Sequence, residues 1–312
     1  MWLMGGMRGR DFLSVNNFSK KELQEILALA LLLKRELKEG REHHLLKGRT
    51  LGMIFQKPST RTRVSFEVAM WQLGGLALFL NAHDLQIGRG EPLKDTARTL
   101  SRYLDGIMIR TFAHSEAEEL AAYASVPVIN GLTDLLHPCQ AMADMLTLLE
   151  RFGRLEGLPL AYVGDGNNVA HSLMLAAARL GVQMAVATPP GYEPNQEIVD
   201  AAKIDSALTG TSLLVTNDPA LAVLGAQAVY TDVWASMGQE AEHAERCALF
   251  QPYQLNNQLL AHAAPGAMVL HCLPAHRGEE ITEQVLEGPQ SAVFEQAENR
   301  LHIQKAILAS LL

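Results

Sequence analysis

The stretch with the clearest chemical character is Phe55-Gln-Lys-Pro-Ser-Thr-Arg-Thr-Arg-Val-Ser-Phe-Glu67. A strand-like apolar run ends at Gln56, Pro58 bars continuation of a strand ladder, and Ser59 suits a helix N-cap. From Thr60 the pattern turns helical. The unpaired N–H groups of a first helical turn, reinforced by the helix dipole, form a cradle for phosphate. Ser59, Thr60 and Thr62 add hydroxyl donors, and Arg61 adds a planar guanidinium matched to phosphate oxygens. Taken alone, the motif also reads as a capped helix with solvated arginines. Helix starts favour acidic residues, however, and Arg61 and Arg63 both oppose the dipole here. A bound phosphate is the simplest group that compensates them.

Three more polar stretches directly follow apolar runs: Gly164-Asp-Gly-Asn-Asn168, Asp232-Val-Trp-Ala-Ser-Met-Gly238 and His271-Cys-Leu-Pro-Ala-His-Arg-Gly278. All three therefore fall where α/β sheets place ligands, beyond the carboxyl ends of strands. Gly164, Gly166 and Ala170 have a faint likeness to a dinucleotide loop. The full GxGxxG is absent and no acidic residue ends the next strand, so a tight strand-to-helix turn is the better reading. His137, Cys139, His271 and Cys272 are zinc-ligand types. Adjacent His271 and Cys272 make poor chelating geometry, which favours adventitious inhibition by zinc over a structural metal, and no metal site is expected.

Apolar strand-like runs alternate with helix-like runs nearly to the end of the chain. The strand candidates are Thr50–Gln56, Gly75–Leu80, Gly106–Arg110, Val126–Asn130, Leu158–Val163, Gln183–Ala187, Ser212–Thr216, Ala228–Thr231 and Met268–His271. That rhythm indicates the α/β class, with parallel sheets flanked by helices. Typical sheet sizes favour two sheets of about four or five strands over a single large one. The best junction is the helix former Ala141–Arg151 followed by the turn Gly153–Gly157. The last segment, Val293–Leu312, reads as a helix whose packing partner the sequence leaves open.

Composition fits this picture. A chain of 312 residues is about right for two domains. Three cysteines without CxxC pairing fit a reducing compartment, hence the cytoplasm. A net charge of -8 with no Lys/Arg block argues against a nucleic-acid partner. The helical run Glu22–Leu37 is too interrupted by charge to span a membrane, and Met1–Arg10 has no continuous apolar core of the signal-peptide kind. No long repeat is visible.

Three motifs in order identify a family. Ser59-Thr-Arg-Thr-Arg63 followed by Ser65-Phe-Glu67 resembles the carbamoyl phosphate signature of the aspartate and ornithine carbamoyltransferases. His137-Pro-Cys-Gln140 is similar to a second family motif, in which the His and Gln hold the carbamoyl end. Arg110, in Met108-Ile-Arg-Thr-Phe112, matches the arginine that reaches phosphate and carbonyl oxygen. The resemblance runs from about Phe12 to the end and implies two doubly wound α/β domains. Residues 1–145 would bind carbamoyl phosphate, with helix 293–312 packing back on them, and residues 146–292 would bind the amino acid.

The ornithine branch of the family is favoured. By resemblance, Asn168 matches the side chain that holds the amino-acid carboxylate, aided by the Met237 N–H, while Asp232 and Ser236 match the α-ammonium ligands. Cys272 lies beside the attacking amine with Leu273 next to it, and Arg300 matches a late arginine near the carbamoyl group. Ser59, Thr60, Arg61, Thr62 and Gln140 complete the carbamoyl phosphate set, with Gln86 reaching in from a neighbouring subunit. That implies a homotrimer, or a multiple of trimers, acting on carbamoyl phosphate and L-ornithine, with no metal or organic cofactor. Arg110, His137, Cys272 and Asp232 are the candidate catalytic residues. Only the neutral side-chain amine attacks, although its unperturbed pKa is about 10.4. Asp232 is expected both to anchor the α-ammonium and to orient Cys272. The alternatives are a carbamoyltransferase for N-acylated ornithine or putrescine, against which Asp232 and Ser236–Gly238 speak, and a binding homologue without turnover.

Overall fold

The computed structural model describes residues 6–235 and 242–312. Among them the nine apolar runs form nine strands, and every pairing is parallel. The first sheet has the order β2-β1-β3-β4, with β1 (Thr50–Phe55), β2 (Leu76–Asn81), β3 (Gly106–Arg110) and β4 (Val128–Leu132). The second has the order β7-β6-β5-β8-β9, with β5 (Pro159–Val163), β6 (Gln183–Ala187), β7 (Leu213–Thr216), β8 (Ala228–Thr231) and β9 (Met268–His271). Two parallel sheets flanked by helices are the expected architecture.

Parallel strands cannot be joined by hairpins, so helices carry the crossovers. In the first half these are α2 (Thr60–Gln72), α3 (Leu93–Leu100) and α4 (His114–Tyr123), while α1 (Lys20–Lys38) precedes β1 and α5 (Pro138–Phe152) leads from the first sheet to the second. In the second half they are α6 (Asn168–Leu180), α7 (Gln196–Thr209), α8 (Pro219–Val223), α9 (His243–Phe250) and α10 (Asn257–Leu260), and α11 (Glu283–Leu286) and α12 (Val293–Leu311) follow the last strand. No described helix is long and apolar enough to cross a membrane.

Strand order fixes where ligands have room. In the first sheet the chain steps from β1 out to β2, then returns across β1 to β3. In the second it steps from β5 to β6 and β7, then returns across β5 to β8. Each reversal leaves a switch point, β1/β3 and β5/β8, where a crevice opens beyond the carboxyl ends of the two strands. The strands around it are rigid because they are buried. Ile54, Ile107, Ile109 and Val128 share one core, and Val163, Val229, Val269 and Ile281 share the other.

One strand lies two residues later than its apolar run suggests: Val128–Leu132, against the expected Val126–Asn130. Pro127 has no N–H to give, and only its carbonyl joins the ladder, accepting from Ile107 N at 2.9 Å. At the far end an irregularity after Ile109 brings Arg110 opposite Leu132.

By internal contacts the chain forms two compact units, Met1–Leu146 with Glu298–Leu312, and Thr147–Ala297. The C-terminal segment is tied into the first by polar groups. Lys34 on α1 is buried, donates to Asn299 Oδ1 at 2.7 Å, and lies 3.9 Å from Glu298. His302 Nε2 meets Glu298 Oε1 at 3.2 Å.

Burial holds the His302 pKa down to about 4; its Glu298 hydrogen bond opposes this and the Lys34 charge reinforces it. The unfolded chain, with an ordinary histidine near 6.5, binds more protons than the folded one between those values. Stability is therefore expected to fall as pH drops from about 6.5 towards 4, and His302→Gln should flatten that dependence. Thermal unfolding across the range checks this; identical pH slopes for the two proteins would contradict it.

Candidate active site

At the switch point of the first sheet the two strand ends remain laced together, Gln56 N donating to Arg110 O at 2.9 Å. Ser59 then caps α2 as its sequence suggests. Its Oγ accepts from Thr62 N at 3.2 Å and donates to Thr62 Oγ1 at 3.1 Å. Arg300, on α12, donates from Nη2 to the same Thr62 Oγ1 at 2.8 Å. With both lone pairs of that oxygen engaged, the Thr62 hydroxyl is left to act as a donor. Thr62 and Arg300 are both buried, while Thr60 stands exposed on the first turn.

Arg110 ends β3 and is buried. His137, buried just before α5, has a pKa well below the ordinary histidine value. Burial is the main cause, followed by the positive charges of Arg300, Arg110 and Arg61. The imidazole is consequently neutral at neutral pH and suited to donate a single N–H rather than a proton. Gln140, one turn on, donates to Asp144 Oδ1 at 2.8 Å. Cys139 is sealed beneath, its Sγ 3.4 Å from Asn130 O and its thiol pushed up to about 12 by burial, so it remains protonated and inert.

Two details differ from the sequence expectation. Arg63 needs no bound anion, because its Nε donates to Glu67 Oε1 at 3.0 Å and its guanidinium lies 3.8 Å from the Phe79 ring centre. The cationic cluster is thus Arg61 with Arg110 and Arg300, not Arg61 with Arg63. Lys57, which sequence reading passed over, is also buried, its Nζ 4.0 Å from the Phe112 ring centre. Burial and then the Arg110 charge lower its pKa, with Asp134 opposing. Its position before Pro58 was visible; its burial was not. Gln86 is exposed at the start of the turn Gln86–Arg89.

The switch point of the second sheet carries the opposite charge. Asp232, directly after β8, is buried, and each of its oxygens has a partner. Cys272 Sγ donates to Oδ1 at 2.9 Å, and Asn167 Nδ2 donates to Oδ2 at 2.9 Å. The contact between Asp232 and Cys272 had been expected; Asn167 had not. Asn167 also caps α6, its Oδ1 accepting from Val169 N and Ala170 N, so one side chain both starts the helix and aims the carboxylate. Asn168 is the first residue of α6. Ser236 and Met237 lie outside the described residues.

Beside Asp232, Asp165 is pushed up to about 6, chiefly by burial, with Arg246 opposing and Asp232 reinforcing. Arg246 Nη1 lies 3.3 Å from Asp165 Oδ2 and donates to Trp234 O at 2.9 Å. His271 is fully buried at the end of β9. Its Nδ1 accepts from Leu273 N at 2.8 Å, so the ring proton sits on Nε2 and is donated to Glu280 Oε1 at 3.0 Å. That contact holds Leu273 at φ 57°, an uncommon conformation for a residue other than glycine. The donors of Asp232, His271 and Cys272 lie within 4.8 Å of one another, yet both His271 nitrogens are already engaged.

The glycines of Gly164-Asp-Gly166 have a packing explanation. A Cβ at Gly166 would lie 2.4 Å from Pro194 N and 2.6 Å from Tyr192 O. The residue therefore admits the 192–194 backbone, as a tight turn requires, and is not there to admit a nucleotide.

Fold and site together define an α/β protein with an anion-ready cationic corner in one unit and a clamped carboxylate in the other. Residues 10–150 match the family model described as the aspartate/ornithine carbamoyltransferase carbamoyl-P binding domain, and residues 156–311 match that of the Asp/Orn binding domain. An ornithine carbamoyltransferase of Carboxydothermus hydrogenoformans is 61% identical over 310 residues, 99% of this chain and 100% of that one. The solved ornithine carbamoyltransferase of Pyrococcus furiosus superposes with a TM-score of 0.95 at 56% identity, covering 98% of this chain and 97% of that one. The anabolic enzyme of Campylobacter jejuni gives 0.90 at 38% identity, over 96% and 97%. The chain belongs to the aspartate/ornithine carbamoyltransferase family.

Gly166→Ala is expected to cost about 1–3 kcal/mol, because the added methyl meets backbone that cannot swing away. An unchanged melting temperature would show that the 192–194 segment yields freely.

Proposed function

We propose that this protein transfers the carbamoyl group of carbamoyl phosphate to the side-chain amine of L-ornithine, giving L-citrulline and phosphate. The Asp232 carboxylate, fixed by Asn167 and Cys272, is the observation that carries the choice of acceptor. A buried, oriented carboxylate suits a free α-ammonium, which ornithine has and N-acylated ornithine lacks. Relatives 56–61% identical bear the name ornithine carbamoyltransferase, in agreement.

In this reading the first turn of α2, with Ser59, Thr60, Arg61 and Thr62, holds the phosphate, joined by Arg110 and Arg300. His137, Gln140 and Arg110 take the carbamoyl end, with Cys272 and Leu273 on its acceptor side. Asn168, Asp232, Ser236 and Met237 hold the amino acid. The neutral amine attacks the carbamoyl carbon, negative charge builds on the carbonyl oxygen, and the bond to phosphate breaks while a phosphate oxygen takes the amine proton. Each fixed donor aimed at the carbonyl oxygen contributes about 3 kcal/mol to the transition state. The neutral His137 imidazole, the Thr62 hydroxyl and Arg110 are the candidates. Gln86 serves a neighbouring subunit of a homotrimer, or of a multiple of trimers, in the cytoplasm.

Offering L-ornithine, N-acetylornithine, putrescine and aspartate in parallel with carbamoyl phosphate tests the assignment. Citrulline should be by far the dominant product, and preference for any other acceptor would overturn the reading of the second unit. Asn167→Ser keeps a helix cap but removes the donor to Asp232. Losing a hydrogen bond to a charged group should raise the KM for ornithine about tenfold or more while leaving that for carbamoyl phosphate unchanged. Equal effects on both would make Asn167 merely structural.

A further inference from the structure

The loop that begins at Cys272 continues to a second group of donor side chains that the proposed transfer leaves unused. His243 and Cys247 stand one turn apart on α9, and His276 and Glu279 follow Pro274. Glu279 Oε2 is the common neighbour: His243 Nε2 lies 3.0 Å from it, His276 Nδ1 3.5 Å and Cys247 Sγ 3.6 Å. Cys247 Sγ is also 3.7 Å from His243 Nε2. Ligand atoms of His243, His276 and Glu279 all fall within 4.8 Å of one another. In a tetrahedral zinc site, bonds of about 2.0–2.3 Å put neighbouring donors about 3.3–3.7 Å apart. The separations to Glu279 and between Cys247 and His243 are 3.0–3.7 Å, and Cys247, which lies outside the His243–His276–Glu279 group, meets two of its three members.

We propose that His243, Cys247, His276 and Glu279 form a binding site for a divalent transition metal of the zinc class, distinct from the Asp232–Cys272 pair. Two imidazoles, a thiolate and a carboxylate select zinc over magnesium or calcium, which prefer oxygen alone. The frame is already built. Gln254 Nε2 donates to Gly278 O at 2.9 Å and to Glu279 O at 2.8 Å, and His276 N donates to the buried Glu280 at 2.6 Å. His243, His276 and Glu279 are partly exposed, so an ion reaches the site from solvent. A cluster of surface ion pairs explains His243, His276 and Glu279, but not the thiol set against the same carboxylate oxygen. On binding, the Cys247 S–H gives its proton to solvent as the metal–sulfur bond forms. The ion then ties α9 to the loop of Cys272.

The test uses the full chain, stripped of metal, in a Cys272→Ala background that removes the competing thiol. Titration with Co2+ should produce the near-ultraviolet thiolate charge-transfer band, and Zn2+ calorimetry should give a single ion per chain. Adding Cys247→Ser should abolish the band, and adding the surface change His276→Ala should weaken Zn2+ by about tenfold or more. Circular dichroism would verify that both variants remain folded. No band in the Cys272→Ala protein, or a band that survives Cys247→Ser, would overturn the proposal.

Discussion

Positive charge gathered around one buried imidazole is the constraint on which the first unit depends. Arg61, Arg110 and Arg300 all act on His137 and come from three separate elements: the start of α2, the end of β3 and the middle of α12. Like charges held together out of water repel strongly, by about 4 kcal/mol for a pair 4 Å apart at an effective dielectric of 20. A stiff scaffold can hold such a corner together, and a strongly negative ligand would relieve its repulsion. The buried β1/β3 pairing supplies the stiffness, and the cap at Ser59 fixes the helix start. Burial first, and then the same charges, hold the His137 pKa well below its ordinary value, so in the proposed transfer this end relies on hydrogen bonding and electrostatics rather than on proton transfer from imidazole.

The second unit solves the opposite problem. Asp232, Asp165 and Glu280 are buried near the ends of the central strands, and their charges, after burial itself, push the Tyr162 pKa well above its ordinary value. Asp232 is restrained by donors on both oxygens, whereas Asp165 leans on Arg246. Each switch point therefore carries one dominant sign of charge. An anion suits the first and an ammonium the second, on two sheets wound by the same rule.

Strands of parallel sheets read as apolar runs, whether buried as β1 and β3 are or largely exposed as β2 is, so all nine were legible in the sequence, and the α/β class followed from their alternation with helices. The β4 displacement was not legible, because it depends on the ladder geometry after Ile109 as well as on Pro127. Local spacing did hold one answer that was passed over: Arg63 and Glu67 stand at the i,i+4 distance of a helical ion pair. Which of Asn167 and Asn168 caps α6 turns on a one-residue phase at the helix start, and no residue type distinguishes them. The bond between Arg300 and Thr62 joins positions 238 apart, and nothing local to either announces it.

The return of residues 298–312 to the first unit makes the second an insertion in the chain's connectivity. A ribosome delivers residues in order, so every part of the second unit emerges before the first has its last helix. Until then the Lys34 amine lacks Asn299, and the Thr62 hydroxyl lacks Arg300. The anion corner is consequently among the last features of the molecule to be completed during synthesis. A nascent chain released short of α12 would have the α2 cradle but only two of its three guanidinium groups.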